Sequence, residues 1–182
     1  MKILIVVDMQ KDFVDGALGT KEACAIVPAL KERIEGFDGL VLATRDTHGE
    51  EYLNTMEGKK LPVVHCVKGT SGWELYPEIE AALAQKWKGY KDKTIFDKPT
   101  FGSRDLGEYL LRLEKEGETI ESITLTGVCT DICVISNALL IKAYLPETEV
   151  RVEADLCAGV TKESHERALE AMEVCQIEVI RK

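Results

Sequence analysis

Apolar residues in this chain gather in short β-branched runs separated by amphipathic stretches, and the alternation holds from end to end. Several runs, such as Ile3-Leu4-Ile5-Val6-Val7, are apolar at every position. Strands buried on both faces read this way, so the pattern predicts a parallel sheet covered by helices, an α/β fold. The predicted strands are Lys2 to Val7, Gly39 to Thr44, Lys93 to Phe96, Ile120 to Thr126, Glu149 to Glu153 and Gln176 to Ile180. Helical spacing predicts Ala23 to Glu35, Pro77 to Gln85, Ser103 to Glu116, Asp131 to Ala143 and Lys162 to Val174. In the third of these Leu106, Leu110 and Leu113 share one face, and Gly117 supplies a stop.

Residues 45–76 break the pattern. They contain Gly49, Gly58, Gly69 and Gly72, little periodicity, and two of the three histidines. A connection this long inside a compact domain is usually functional. Ligands of open parallel sheets bind at the carboxyl ends of the strands. Asp8 ends the first predicted strand, Asp46 and His48 follow the second, Lys98 follows the third, and Cys133 lies past the fourth. Those five side chains are expected on one rim.

Composition narrows the partners. The net charge is -9, from 32 acidic and 23 basic residues, and no basic stripe interleaved with aromatics occurs, so nucleic acid is not an expected partner. With 45% hydrophobic and 30% charged residues, and no window near the ~18 apolar residues of a membrane helix, no membrane partner is expected either. The N-terminal apolar run stops at Asp8, too short for a secretory core and without a small-residue cleavage site, which predicts a cytoplasmic protein. A chain of 182 residues is expected to form one domain, residues 1–182, around a single core. Six cysteines in a reducing compartment, with no C-x-x-C pair among them, are read singly, most as buried fillers.

Gly127-Val128-Cys129-Thr130-Asp131-Ile132-Cys133-Val134 carries an apolar strand through a small-residue turn and delivers a cysteine at a helix start. Unpaired N–H groups and the positive end of the helix dipole favour a thiolate there, and the thiolate is the nucleophile. Asp8, closing an apolar strand, is expected to be partly desolvated, with its carboxyl biased upward towards a useful general base. Lys98 would stabilise the thiolate and a developing oxyanion. Taken alone, each residue has a bland explanation: a capping Asp, a solvated Lys, a buried Cys. Their joint placement points to a nucleophile with a base and a cation. Asp46 and His48, two apart in an extended segment, share a face, and His65 returns after the long connection. One carboxylate and two imidazoles suit zinc, manganese or iron and leave positions open for water and substrate. His165, set among Glu163, Glu166 and Arg167 on an amphipathic helix, reads as structural.

Asp8-Met9-Gln10-Lys11-Asp12-Phe13, then Lys98, then Gly127 to Cys133, in this order over nearly the whole chain, resemble the isochorismatase-like cysteine hydrolase superfamily. The resemblance implies a three-layer α/β/α domain with a mainly parallel, roughly six-stranded Rossmann-like sheet. It implies an Asp8-Lys98-Cys133 triad working through a thioester, an oxyanion hole from the backbone N–H groups of Cys129 and Cys133, and a cis peptide at Val128-Cys129. Asp46-Thr47-His48 followed by Pro62-Val63-Val64-His65-Cys66 resembles the nicotinamidase branch, which uses one divalent metal ion, zinc foremost. Asp46, His48 and His65 are then the ligands and Glu57 a fourth, with Glu50 and Glu51 as competing carboxylates. The implied substrate is a small aromatic amide, nicotinamide above all, hydrolysed to acid and ammonia. Phe13 and Leu18 match pocket-lining positions, and Phe101, three residues beyond Lys98, is expected as a further wall. The chain departs from many nicotinamidases in carrying Leu61-Pro62 where a tryptophan precedes the second metal histidine, and Ile132 where an imidazole is sometimes found. Both departures bear on the substrate rather than the triad. The competing expectations are an amidohydrolase acting on a carbamoyl or ureido compound and a non-catalytic scaffold. Members of the superfamily are often dimers or larger, so a homo-oligomer is expected.

Overall fold

A computed structural model describes residues 1–90 and 94–181. Its strands are β1 (Lys2–Val7), β2 (Leu40–Asp46), β3 (Ile95–Lys98), β4 (Ser122–Val128), β5 (Glu149–Ala158) and β6 (Glu178–Ile180). All neighbours pair in parallel, in the order β3-β2-β1-β4-β5-β6. The direction in which successive strands are added reverses between β1 and β4, the place where open α/β sheets leave a crevice for ligands.

The helices are α1 (Lys11–Val14), α2 (Lys21–Gly36), α3 (Met56–Lys60), α4 (Pro77–Lys86), α5 (Arg104–Lys115), α6 (Ile135–Tyr144) and α7 (Lys162–Val174). Alternation along β1 explains the layering. Ile3, Ile5 and Val7 enter a core shared with α5, α6 and α7, whereas Leu4 and Val6 enter a second core shared with α2 and α4. The expected three-layer α/β/α arrangement is thus formed. Thr20, Thr55, Ser103 and Thr161 each accept a backbone N–H at a helix start. Among the described residues no helix is long and apolar enough to cross a membrane.

Several predicted boundaries are corrected. Strands β2, β3 and β4 each run two residues beyond their predicted ends at Thr44, Phe96 and Thr126, because the ladder continues after the apolar run stops. The predicted start of the third strand, Lys93, lies outside the described residues. The expected helix from Asp131 is two pieces: a π turn over Thr130–Val134, then α6. Residues 45–76 are less irregular than expected, since they contain α3 and two single 3-10 turns at Tyr52–Asn54 and Ser71–Trp73. Gly127 is required where β4 passes β1. Its φ is +103°, and a Cβ there would come 2.1 Å from the Val7 carbonyl oxygen.

Candidate active site

Strand ends deliver the reactive side chains. Asp8 follows β1 in a left-handed conformation (φ +47°) and is fully buried. One carboxylate oxygen accepts from the Thr44 hydroxyl at 2.7 Å, and the other lies 2.7 Å from Lys98 Nζ. Lys98 closes β3, in register with Asp46 at the end of β2. Its ammonium reaches Cys133 Sγ at 3.4 Å and Asp46 Oδ1 at 3.3 Å, so it touches all three groups. The peptide bond between Val128 and Cys129 is cis, as the resemblance implied.

Charge and burial oppose one another here. Burial pushes the Asp8 carboxyl up, and the Lys98 ammonium and Thr44 hydroxyl only partly restrain it. Burial also works against the Lys98 charge, but Asp8, Cys133 and Asp46 outweigh it and hold the ammonium above the usual lysine range. Cys133 is raised well above an ordinary thiol, first by burial and then by Asp8, with Lys98 pulling the other way. This corrects the expectation of a thiolate favoured by a helix start. The sulfur lies within a π turn in a buried site, where burial and the Asp8 carboxyl favour the thiol over the thiolate.

Asp46, His48, Glu57 and His65 bring their ligand atoms within 4.8 Å of one another. Asp46 Oδ2 lies 2.9 Å from His48 Nε2 and 3.5 Å from His65 Nε2, and Glu57 Oε1 is 3.6 and 3.9 Å from the same two nitrogens. Ligand atoms about 2.0–2.2 Å from a zinc ion stand roughly 3.3–3.6 Å apart, so this donor set fits a divalent ion. His65 Nδ1 lies 2.7 Å from the Val63 carbonyl, which aims Nε2 at the group, as metal-ligating imidazoles are commonly fixed. Burial would raise the Asp46 carboxyl, yet the two imidazoles and Lys98 hold it well below the ordinary range. Burial, then Asp46, raises Glu57. Glu50 and Glu51, the competing carboxylates, are exposed and outside the group.

A cavity of about 320 Å³ joins the two clusters. Phe13, Leu18 and Phe101 line it, as do Cys129, Cys133, Asp46, Glu57 and His65. Asp8, Lys98 and His48 do not line it themselves; Asp8 and Lys98 stand behind Cys133 and Asp46, and His48 behind Asp46 and Glu57. Leu61, Ile132 and Val160, not foreseen as walls, complete its apolar surface. Also unforeseen were the supports. Gln10 is fully buried and grips the Asp46 peptide, accepting from its N–H at 2.7 Å and donating to its carbonyl at 2.8 Å. Tyr52 packs on both histidines, with ring centroids 4.6 and 4.9 Å away. An amide immediately after the strand-end Asp8-Met9 was the available signal for Gln10. Thr44 offered none beyond its position in a strand.

The chain is 28% identical to the nicotinamidase/pyrazinamidase of Mycobacterium tuberculosis over 99% of its length and 98% of that protein. It is 36% identical to an uncharacterised isochorismatase family protein, PncA, of Bacillus subtilis, over 92% of each. Its fold superposes on the pyrazinamidase of Pyrococcus horikoshii in complex with zinc with a TM-score of 0.79, at 30% identity, covering 100% of this chain and 99% of that one. The Isochorismatase domain model matches residues 2–182, and with that match over nearly its full length the chain belongs to the isochorismatase family.

Proposed function

We propose that the chain is a metal-containing cysteine amidohydrolase that converts nicotinamide, or a closely similar small aromatic amide, to its acid and ammonia. The observation that carries this reading is the cavity itself. It holds Cys133 near Asp8 and Lys98 and the metal-type donors Asp46, Glu57 and His65, with apolar walls sized for one ring. The names carried by the relatives from M. tuberculosis and P. horikoshii support the same substrate class.

Asp8 takes the proton of the neutral Cys133 thiol as the sulfur attacks the carboxamide carbon. Lys98, fixed between Asp8 and Cys133, stabilises the charge that moves onto sulfur. The backbone N–H groups of Cys129 and Cys133 receive the oxyanion, each such donor being worth about 10²–10³ in rate. Asp8 returns the proton to the departing ammonia and then deprotonates the water that hydrolyses the thioester. Phe13, Leu18 and Phe101 hold the ring and exclude bulk water. A divalent ion on Asp46, His48, Glu57 and His65 would supply an electrophilic anchor for a ring nitrogen.

The test is ammonia release from nicotinamide before and after chelation, with elemental analysis, alongside Cys133→Ala. The variant is expected to lose turnover while keeping its metal content and melting temperature. Near wild-type ammonia release from it would remove the mechanism, and activity that survives complete metal removal would remove the ligand assignment. A fully metallated enzyme inert towards nicotinamide would transfer the reading to a carbamoyl or ureido substrate.

A further inference from the structure

Residues that take no part in the steps above hold the nucleophile's turn from outside the site. The π turn over Thr130–Val134 has no side-chain cap of its own. The Cys129 carbonyl accepts from Ile132 at 3.1 Å and from Val134 at 3.0 Å, which closes the loop but leaves its tilt to its neighbours. Thr130 is fully buried, and its hydroxyl oxygen lies 2.8 Å from Nδ1 of His165 in α7. The next residue, Asp131, accepts the Val160 N–H at 3.1 Å. Two consecutive side chains, three and two positions before Cys133, therefore fasten the turn to α7 and the loop before it.

The anchor is itself rigid. Thr161 and Ser164 form a reciprocal capping box at the start of α7, and the His165 N–H donates to the Thr161 carbonyl at 2.9 Å. Gly159 permits the close approach of the helix, since a Cβ at that position would stand 2.8 Å from the His165 Cβ. His165 does not line the active-site cavity; it borders a separate one beside Cys157, Gly159 and Thr161. We propose that His165 is a positioning residue for the reaction: through the Nδ1–Thr130 hydrogen bond it sets the π turn and so aims Cys133 Sγ at Asp8 and Lys98. The proposal rests on the reading of Cys133 as the nucleophile.

The chemistry of the imidazole supplies the test. Asparagine at 165 places a polar atom near the position of Nδ1, glutamine near that of Nε2, and alanine neither. His165→Ala and His165→Gln are expected to lower kcat on nicotinamide about tenfold with little change in KM, the size of effect a small misplacement of a reacting atom produces. They should slow iodoacetamide alkylation of Cys133, followed by peptide mass spectrometry, by a similar factor. His165→Asn should retain most of both rates. Thr130→Val should match His165→Ala, and the double variant should be no worse than either, because both break one bond. The proposal is overturned if His165→Ala keeps wild-type kcat and alkylation, if His165→Asn loses as much as alanine, or if the two losses add. Variants that melt earlier yet keep kcat per alkylatable Cys133 would overturn it too, since the role would then be structural. Alkylation displaces iodide and needs no hydrolysis of an amide, so a failure of the Cys133 reading shows separately, as ammonia release that survives Cys133→Ala.

Discussion

Asp8 has its two carboxylate oxygens in different company: Thr44 on one, Lys98 on the other. Burial raises its pKa and Lys98 lowers it in turn; in the proposed mechanism a raised carboxylate is the better base towards the Cys133 thiol. Asp8→Asn is expected to lower kcat about 10²–10⁴-fold, the usual contribution of a positioned acid–base group, measurable by ammonia release. Thr44→Val tests the finer point. The Thr44 hydroxyl donates to the charged carboxylate and so pulls its pKa down; without that bond the carboxylate holds its proton to higher pH. The acid limb of the kcat/KM profile should therefore move to higher pH in Thr44→Val, the rate should recover on the alkaline side, and Thr44→Ser should resemble wild type. An unmoved limb would show that Thr44 does not tune Asp8.

At the scale of elements, the chemistry begins where the strand signal fades. Predicted strands stop at Thr44 and Phe96 because apolar alternation stops, yet Asp46 and Lys98 still pair in register and are buried. A buried charge at a strand end looks like a loop residue in sequence, and only its partners across the sheet make it affordable. The same holds for β5, which continues past the predicted Glu153 to Ala158 with a register shift beside β4 at Leu125/Gly127. The order of elements, α7 to the residue, and the residues at the site were legible from pattern, spacing and resemblance. The π turn, α3 and the grips of Gln10, Tyr52 and His165 were not, since each depends on contacts between segments far apart in sequence. Where β1 and β4 meet, Gly127→Ala combines positive φ with a 2.1 Å clash against Val7. The expected cost is about 3 kcal/mol or more. Thermal melting should fall by roughly 6–12 °C at that cost in a chain of this size, and an unchanged melting temperature would mean that the two strands can separate without penalty.

For the whole molecule, the metal-type donors tie the least regular segment to the sheet. Asp46 ends β2, Glu57 belongs to α3, and His48 and His65 lie in the connection between β2 and α4. Asp46 and Glu57 share this group with the two imidazoles, and after burial Asp46 is the next cause that raises Glu57. A divalent ion held by these four side chains would relieve that repulsion and would bind the folded chain alone, because the unfolded chain does not bring them together. At a free concentration of about a hundred times Kd it adds about 2.7 kcal/mol of stability. In a chain of this length that corresponds to roughly 5–11 °C in melting temperature. Chelation followed by thermal melting should show a fall of that size, restored by adding back zinc. Glu57→Gln should need more zinc to reach the same temperature, because a neutral ligand replaces a carboxylate. If removal of all bound metal leaves the melting curve where it was, the four side chains do not share an ion in the folded protein.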